Sequence, residues 1–407
     1  MKTMLKILGR SLLVLLAVMV LAVATLGVAD FTALRNLVKG PAMGRADQTQ
    51  LNQPQEIVAG GSLAEVPTAP QDSIEPAAIA RAETYAQATD SIALLVYHRG
   101  AIRYEKYFPG YGPDFRTDSF SGHKTVMGLL FGAAIADGFV SSVDERAAKY
   151  LPEFAADARR DIRIRDLLQM ASGLEVPRFP GLTSIRLISG SDITHTALSL
   201  PQEKPPGTDF QYSNVNAELL GIIIQRATGQ RYADYLSKRL WSRIGAPPAA
   251  LWLDHEGGMP RTFCCIYTTA RGWLQVGRLI LGNGRIGADQ IVPAAWIKAM
   301  TTPSTSNPNY GYQVWLGSPP GTERKYNAKT IKAYHSEPFA AADMIYIDGF
   351  GGQRVYIVPS QDLIIIRTGR AQTKWDDAVI PNAILRGLRP DQSPAASPDA
   401  NKGAQHE

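Results

Sequence analysis

The sequence predicts an α/β (α+β) domain carrying a helical insertion. Strand-forming runs cluster near the start and near the end of the folded region, and a block of helical periodicity separates them. The helix that follows the first strand block is apolar on nearly every side, which marks a helix at the centre of a protein. A chain of 407 residues is longer than one ordinary domain needs, so two lobes, or one domain with a large insertion, are expected.

Read in order, Lys2, Lys6 and Arg10 precede an apolar run from Leu12 to Ala29 broken by Thr25 and Gly27. Residues 1–29 therefore read as a signal peptide or an N-terminal membrane anchor. The run sits at the short end of a bilayer span and Ala22-Val23-Ala24 offers a cleavage site, so both forms stay open. Either form puts the remainder in the periplasm, anchored to the inner membrane or secreted. Residues 30–75, rich in Gln, Pro, Ala and Gly from Arg45 on, read as a linker.

Residues 76–139 and 282–388 read as the α/β domain. Pro76 to Ala88 predicts a helix, and Ser91–His98 with Ala101–Phe108 predicts a hairpin turning at Arg99-Gly100. Thr125 to Ala136 is the apolar helix, stopped by Asp137-Gly138. Residues 140–281 read as the helical domain, clearest at Ile164–Met170, Asn216–Ala227 and Tyr232–Ile244. Strands return at Gly311–Leu316, Met344–Asp348, Arg354–Val358 and Leu363–Thr368, and 389–407 reads as a disordered tail.

Composition excludes collagen, coiled coil and wholesale disorder. Lys and Arg number 42 against 37 Asp and Glu, a formal charge of +5 with no basic run, so no nucleic-acid partner is expected. The two cysteines are neighbours, Cys264 and Cys265. Adjacent α-carbons lie closer than a relaxed disulfide prefers, so two small, semi-buried thiols are expected rather than a bridge. Two thiols make a poor zinc site, and Asp254 with His255 has no metal-pair spacing.

Three segments carry candidate chemistry. Ser121 and Lys124, at the entrance to the apolar helix, are three residues apart and share a helix face. A buried lysine with a depressed pKa can take the serine proton, and the helix N-terminus supplies an N–H donor where an oxyanion forms. Tyr212-Ser213-Asn214 follows a Pro-Gly turn. Its tyrosine can relay a proton and its carboxamide can grip a substrate amide. Gly349-Phe350-Gly351-Gly352-Gln353 lies between two strand runs, where glycines allow backbone approach to a ligand and the Phe350 N–H can supply a second oxyanion donor.

Taken in order, these motifs resemble the serine-reactive family of class C β-lactamases, D-alanyl-D-alanine peptidases, family VIII esterases and 6-aminohexanoate-dimer hydrolases. Ile164-Arg165-Asp166-Leu167-Leu168, Ser172-Gly173-Leu174 and Gly311-Tyr312-Gln313-Val314-Trp315 also look like the family. The resemblance implies a β-lactamase/penicillin-binding-protein-like fold, an antiparallel sheet flanked by helices with an all-helical insertion and a site between them. It implies Ser121 as acylated nucleophile, Lys124 and Tyr212 as the proton-transfer pair, and the N–H groups of Ser121 and Phe350 as oxyanion hole. Asn214, Gly349 and Gly351 would bind substrate, without metal or organic cofactor.

One departure bears on substrate. Where β-lactamases and peptidases of this group carry Lys-Thr-Gly or His-x-Gly, this chain has Ile347-Asp348-Gly349; Lys329-Thr330 is followed by Ile331 and precedes the strand pair. An acid there disfavours a substrate carboxylate. The Gly-x-Gly-Gln form is similar to the 6-aminohexanoate-dimer hydrolase branch, so an extracytoplasmic serine hydrolase of linear amides or esters is expected. A D-alanyl-D-alanine carboxypeptidase or β-lactamase, and a non-catalytic tethered binding protein, stay open as alternatives. His123 is expected to point away from the Ser121–Lys124 face, and Tyr334 and His335 are candidates for the cleft mouth.

Overall fold

The computed structural model describes residues 24, 30–38, 45–62, 66–178, 181–327, 332–372 and 374–390. The signal or anchor segment, apart from Ala24, the tail from residue 391 and the Lys329-Thr330 pair lie outside the described residues. Among the described residues no helix is long and apolar enough to cross a membrane.

The elements that position the site are, in chain order, β1 (Gln55–Val58), α1 (Pro76–Ala88), β2 (Ser91–His98), β3 (Ala101–Tyr107), β4 (Thr117–Asp118), α2 (His123–Ala136), α3 (Ile164–Leu168), α4 (Asn214–Thr228) and α5 (Tyr232–Leu236). They continue with β5 (Ala249–Trp252), β6 (Ile266–Thr268), α6 (Ala270–Leu281), β7 (Trp315–Leu316), β8 (Ile345–Gly349), β9 (Gln353–Val358), β10 (Leu363–Gly369) and α7 (Val379–Arg386).

Six strands form one antiparallel sheet in the order β3-β2-β10-β9-β8-β7. The β2–β3 hairpin turns at Arg99 (φ 51°) and Gly100 (φ 80°), two successive positive-φ positions of the kind that suit the twist of a tight hairpin. β2 and β10 are buried along their whole length because both sheet faces are covered. Leu94, Val96, Tyr356, Val358, Leu363 and Ile365 pack in one cluster with Ala78, Ile79, Ile380 and Ile384 of α1 and α7. The alternating residues Ala93, Leu95, Val355, Ile357, Ile364 and Ile366 pack in the other cluster with α2 and α6. That period of two is the pleat of a strand sandwiched between helices.

Helix α2 is buried over twelve residues from His123 to Ala134. Its glycines let neighbours approach: a β-carbon on Gly132 would sit 2.2 Å from the Trp296 ring, and Trp296 Nε1 donates to the Gly128 carbonyl at 3.1 Å. α4 packs against both α2 and α3 in the helical insertion.

Two boundaries differ from the sequence reading. The stretch read as a linker holds β1, which pairs with β5 in a second sheet of order β1-β5-β6-β4. Helix Phe31–Val38 lies in the same stretch. Its four residues, two polar followed by two apolar, carry no period by which to distinguish a strand from a linker. The block read as wholly helical contains β5 and β6, and its last helix, α6, packs on the main sheet, where Gly277 lies against Ile364 and Val355. Helical periodicity shows that a face is buried but not which surface covers it. The strand expected over Gly311–Leu316 shrinks to Trp315–Leu316.

Candidate active site

The second sheet ends two residues short of Ser121. After β4, Asp118 Oδ1 accepts a hydrogen bond from Phe120 N at 2.8 Å, and the Ser119 hydroxyl accepts from Ile266 N at 3.2 Å. These bonds hold Phe120 at φ 45°, a left-handed conformation that bulky residues seldom adopt and that a well-determined surround must impose. The turn Phe120–Gly122 then feeds Ser121 into α2.

Lys124 Nζ lies 2.9 Å from Ser121 Oγ, 3.0 Å from Asn214 Oδ1 and 2.7 Å from the Phe263 carbonyl oxygen. It sits 4.9 Å from the centre of the Tyr212 ring, and only 1% of the residue is exposed. Loss of hydration pushes its pKa down to about 7, with the charges of Asp348 and Glu218 opposing the shift in part. Ser213 caps α4 by accepting from Val215 N at 3.2 Å, which leaves the Asn214 side chain for Lys124. Tyr212 is wedged among Tyr310, Trp315 and Tyr326. Burial holds its phenol protonated well above the usual range, while a hydrogen bond with Ser121 acts in the opposite sense.

Ser121, Asn214 and Phe350 line a cavity of about 270 Å³ together with Phe120, Phe263, Trp252, Ile188, Asn52, Asp118, Cys264 and Cys265. Phe350 is 61% exposed and meets Phe120 edge to face at 5.7 Å. Asp118, enclosed by protein, has its pKa raised to about 7 by desolvation. Among the described residues no group of three or more His, Cys, Asp or Glu is placed to hold a metal ion.

The structure thus brings Ser121, Lys124, Tyr212 and Asn214 together and puts Phe350 across the cavity from them. Gly349 and Gly351 differ from expectation. A β-carbon on Gly349 would meet the Ser119 carbonyl at 2.2 Å and one on Gly351 would meet Ala371 at 2.3 Å. On the side where a β-carbon would stand, the space these glycines leave is filled by the protein's own atoms. Asp348 also departs from its reading as a charge facing the substrate. It is buried, bonded by the Tyr326 hydroxyl at 2.6 Å and paired with Arg354 at 2.5 Å and Arg324 at 3.4 Å. Asp377 completes that cluster, 2.6 Å from Arg354 and 2.9 Å from Arg324.

The cysteines are the third correction: Cys264 and Cys265 form a vicinal disulfide. Cys265 has φ 71°, a conformation outside the relaxed geometry from which a bridge was discounted. His123 points away from Ser121 as expected, but it is not idle. Its Nδ1 donates to the Cys264 carbonyl at 2.7 Å, so its Nε2 accepts from the Tyr232 hydroxyl at 3.1 Å. Burial lowers its pKa to about 4. His335 stacks on Phe339 instead of lining the cavity. The Phe263 carbonyl was missed outright, because a backbone oxygen carries no residue-type signal.

An antiparallel sheet with helices on both faces and Ser-x-x-Lys at the mouth of a buried helix defines the β-lactamase/penicillin-binding-protein-like fold. The β-lactamase family pattern matches residues 77–386, and the chain belongs to that family of hydrolases. The chain is 25% identical over 222 residues to the 6-aminohexanoate-dimer hydrolase of Paenarthrobacter ureafaciens, spanning 51% of this chain and 56% of that relative. A Bacillus anthracis structure assigned as a 6-aminohexanoate-dimer hydrolase superposes with a TM-score of 0.71 at 20% identity, over 84% of this chain and 92% of that one. The D-alanine carboxypeptidase AmpC of Burkholderia cenocepacia superposes with a TM-score of 0.55 at 17% identity, over 78% and 99%. These structural likenesses carry the fold.

Proposed function

We propose that the protein is an extracytoplasmic serine hydrolase that cleaves linear amide or ester bonds through an acyl-enzyme on Ser121. The observation that carries this reading is the buried Lys124 ammonium 2.9 Å from Ser121 Oγ, with a pKa brought down to about 7. At neutral pH a large share of Lys124 is the free amine, a competent base for a serine hydroxyl. In acylation the Oγ–carbon bond forms, the serine proton passes to Lys124, and the tetrahedral oxyanion meets the N–H groups of Ser121 and Phe350. Collapse breaks the bond to the leaving alcohol or amine, which takes up a proton from the Lys124–Tyr212 pair. Water then repeats the sequence on the acyl-enzyme. The phenol, held protonated by burial, suits donation to the leaving group, which makes Lys124 the primary base.

The cavity supports the choice of substrate. Its lining combines four aromatic rings and Ile188 with the cysteine pair and a few polar groups, and among the described residues it includes no lysine or arginine, so the lining itself offers no cation to a substrate carboxylate. The similarity to 6-aminohexanoate-dimer hydrolase agrees with a linear amide. The export address rests on the cationic, then apolar, N-terminal segment, which tethers the enzyme to the membrane if it is not cut.

Intact-mass spectrometry of the purified full chain after exposure to an activated short-chain ester tests the reading. An acyl increment on the wild type, absent from Ser121→Ala, is expected, with ester turnover lowered at least about a thousandfold in the variant. Full turnover by Ser121→Ala overturns it, and an adduct with a penicillin but not with the ester redirects it to cell-wall substrates.

A further inference from the structure

The proposed reaction leaves one wall of the cavity without a role. Cys264 and Cys265 line it beside Phe263, and the turn that holds them is tied down from several sides. The Cys264 N–H donates to the Arg261 carbonyl at 3.1 Å and the Trp252 N–H to the Cys265 carbonyl at 3.3 Å. His123 holds the Cys264 carbonyl. The residue just before the bridge, Phe263, presents its carbonyl to Lys124 Nζ at 2.7 Å, the shortest of the three Lys124 contacts.

That contact has a directional consequence. A neutral amine has two N–H donors and one lone pair, whereas the ammonium has three donors. Asn214 Oδ1 and the Phe263 carbonyl can only accept, so they take both N–H groups of the neutral amine. The lone pair is left facing the third neighbour, the Ser121 hydroxyl. Without the Phe263 acceptor, the amine can rotate and the lone pair is no longer fixed on the serine proton.

We propose that the Cys264–Cys265 disulfide is a positioning element of this site: it closes the turn after Phe263, keeps Cys265 in its left-handed conformation, and so fixes the carbonyl that aims Lys124 at Ser121. The inference rests on the reading of Ser121 as nucleophile and Lys124 as base. It predicts that the site works with the bridge closed, and that opening it impairs proton transfer rather than substrate binding.

The test compares the oxidised chain with chain treated with dithiothreitol. Each reagent molecule delivers two electrons and two protons, turning the bridge into two thiols and itself closing to a cyclic disulfide. Thiol counting by mass after alkylation establishes the state of the pair. Opening the bridge is expected to lower kcat for a short-chain ester at pH 7 by about tenfold or more while KM changes little, as a misplaced base does. The acid limb of kcat/KM is expected to move from about 7 to higher pH as water reaches Lys124, and reoxidation should restore both. Among bridge-free variants, C264S/C265G, whose glycine adopts the positive φ freely, should keep more of kcat than C264S/C265S.

Identical kcat and pH limb in the two redox states would overturn the inference, as would two free thiols in chain purified in air, or a loss that reoxidation does not reverse. If neither variant folds, the reversible reduction of the wild type still decides. Ser121 acylation of the oxidised chain separates the two readings. Its absence removes the serine-hydrolase reading, whereas its presence at equal rates in both redox states removes only the role of the bridge.

Discussion

Two buried charged regions lie close together and solve the problem of burial in opposite ways. Around Asp348, two aspartates and two arginines balance, with Arg354 bridging Asp348 and Asp377 and Arg324 reaching both. Each charge is held by a partner, and Asp377 stays ionised far below the usual carboxylate range through the two guanidiniums that offset its desolvation. Among the described residues Lys124 has no carboxylate in direct contact; its acceptors are a hydroxyl, a carboxamide oxygen and a backbone carbonyl. Desolvation therefore dominates and brings its pKa down to about 7. Burial with a counter-charge keeps a group ionised, and burial without one brings an ammonium toward its neutral form, as the proposed base requires.

Removing the charge should therefore have opposite consequences at the two places. Lys124→Met is expected to lower kcat by about 10²–10⁴-fold, the usual contribution of a positioned base, while thermal denaturation shows a Tm unchanged or raised. A fall in Tm with activity retained would reverse the assignment. Arg354→Met leaves Asp348 and Asp377 short of a cation and is expected to cost about 3–5 kcal/mol of stability, read by denaturant unfolding. The folded fraction should keep kcat within a few fold.

The smallest effect concerns a second buried ionisable group that lacks a counter-charge in direct contact among the described residues. Glu218 is fully buried, with Thr262 N at 2.9 Å and the Thr262 hydroxyl at 3.1 Å as donors. Desolvation raises its pKa from 4.5 to about 8. A raised carboxyl pKa contributes stability that is fully present below the unfolded value and is lost as pH climbs toward the folded value. Wild-type stability should fall between pH 4.5 and about 8 through this group. Glu218→Gln should flatten that slope and gain about 1–3 kcal/mol at pH 7, measured by unfolding at several pH values. An unchanged slope would show that Glu218 is ionised and better partnered than its surroundings indicate.

The same contrast explains what was legible in the sequence. Ser121 and Lys124 were legible because a local spacing on one helix puts them side by side, and Tyr212 and Asn214 because their order after that pair is a family trait. The strands over Met344–Asp348, Arg354–Val358 and Leu363–Thr368 were legible from their apolar runs, and all three form. The environment of Asp348 was not, since Arg324 reaches it from a separate two-stranded ribbon, while Arg354 faces it across the β8–β9 pair. The bridge was misjudged because Cα spacing says nothing of a left-handed Cys265. β1 reads as linker in the sequence because its partner β5 lies about 190 residues downstream.

The wide sequence separations in both sheets have a consequence for biosynthesis. β2 needs β10, and β1 and β4 need the β5–β6 pair. Contacts between such distant segments close slowly and only after the whole intervening chain exists. The turn that presents Ser121 therefore waits for Ile266, whose N–H bonds the Ser119 hydroxyl from 147 residues further along the chain. Ser121 and Lys124 are made early, and the oxygens that surround the lysine, from Asn214 and Phe263, arrive only with the second half of the chain.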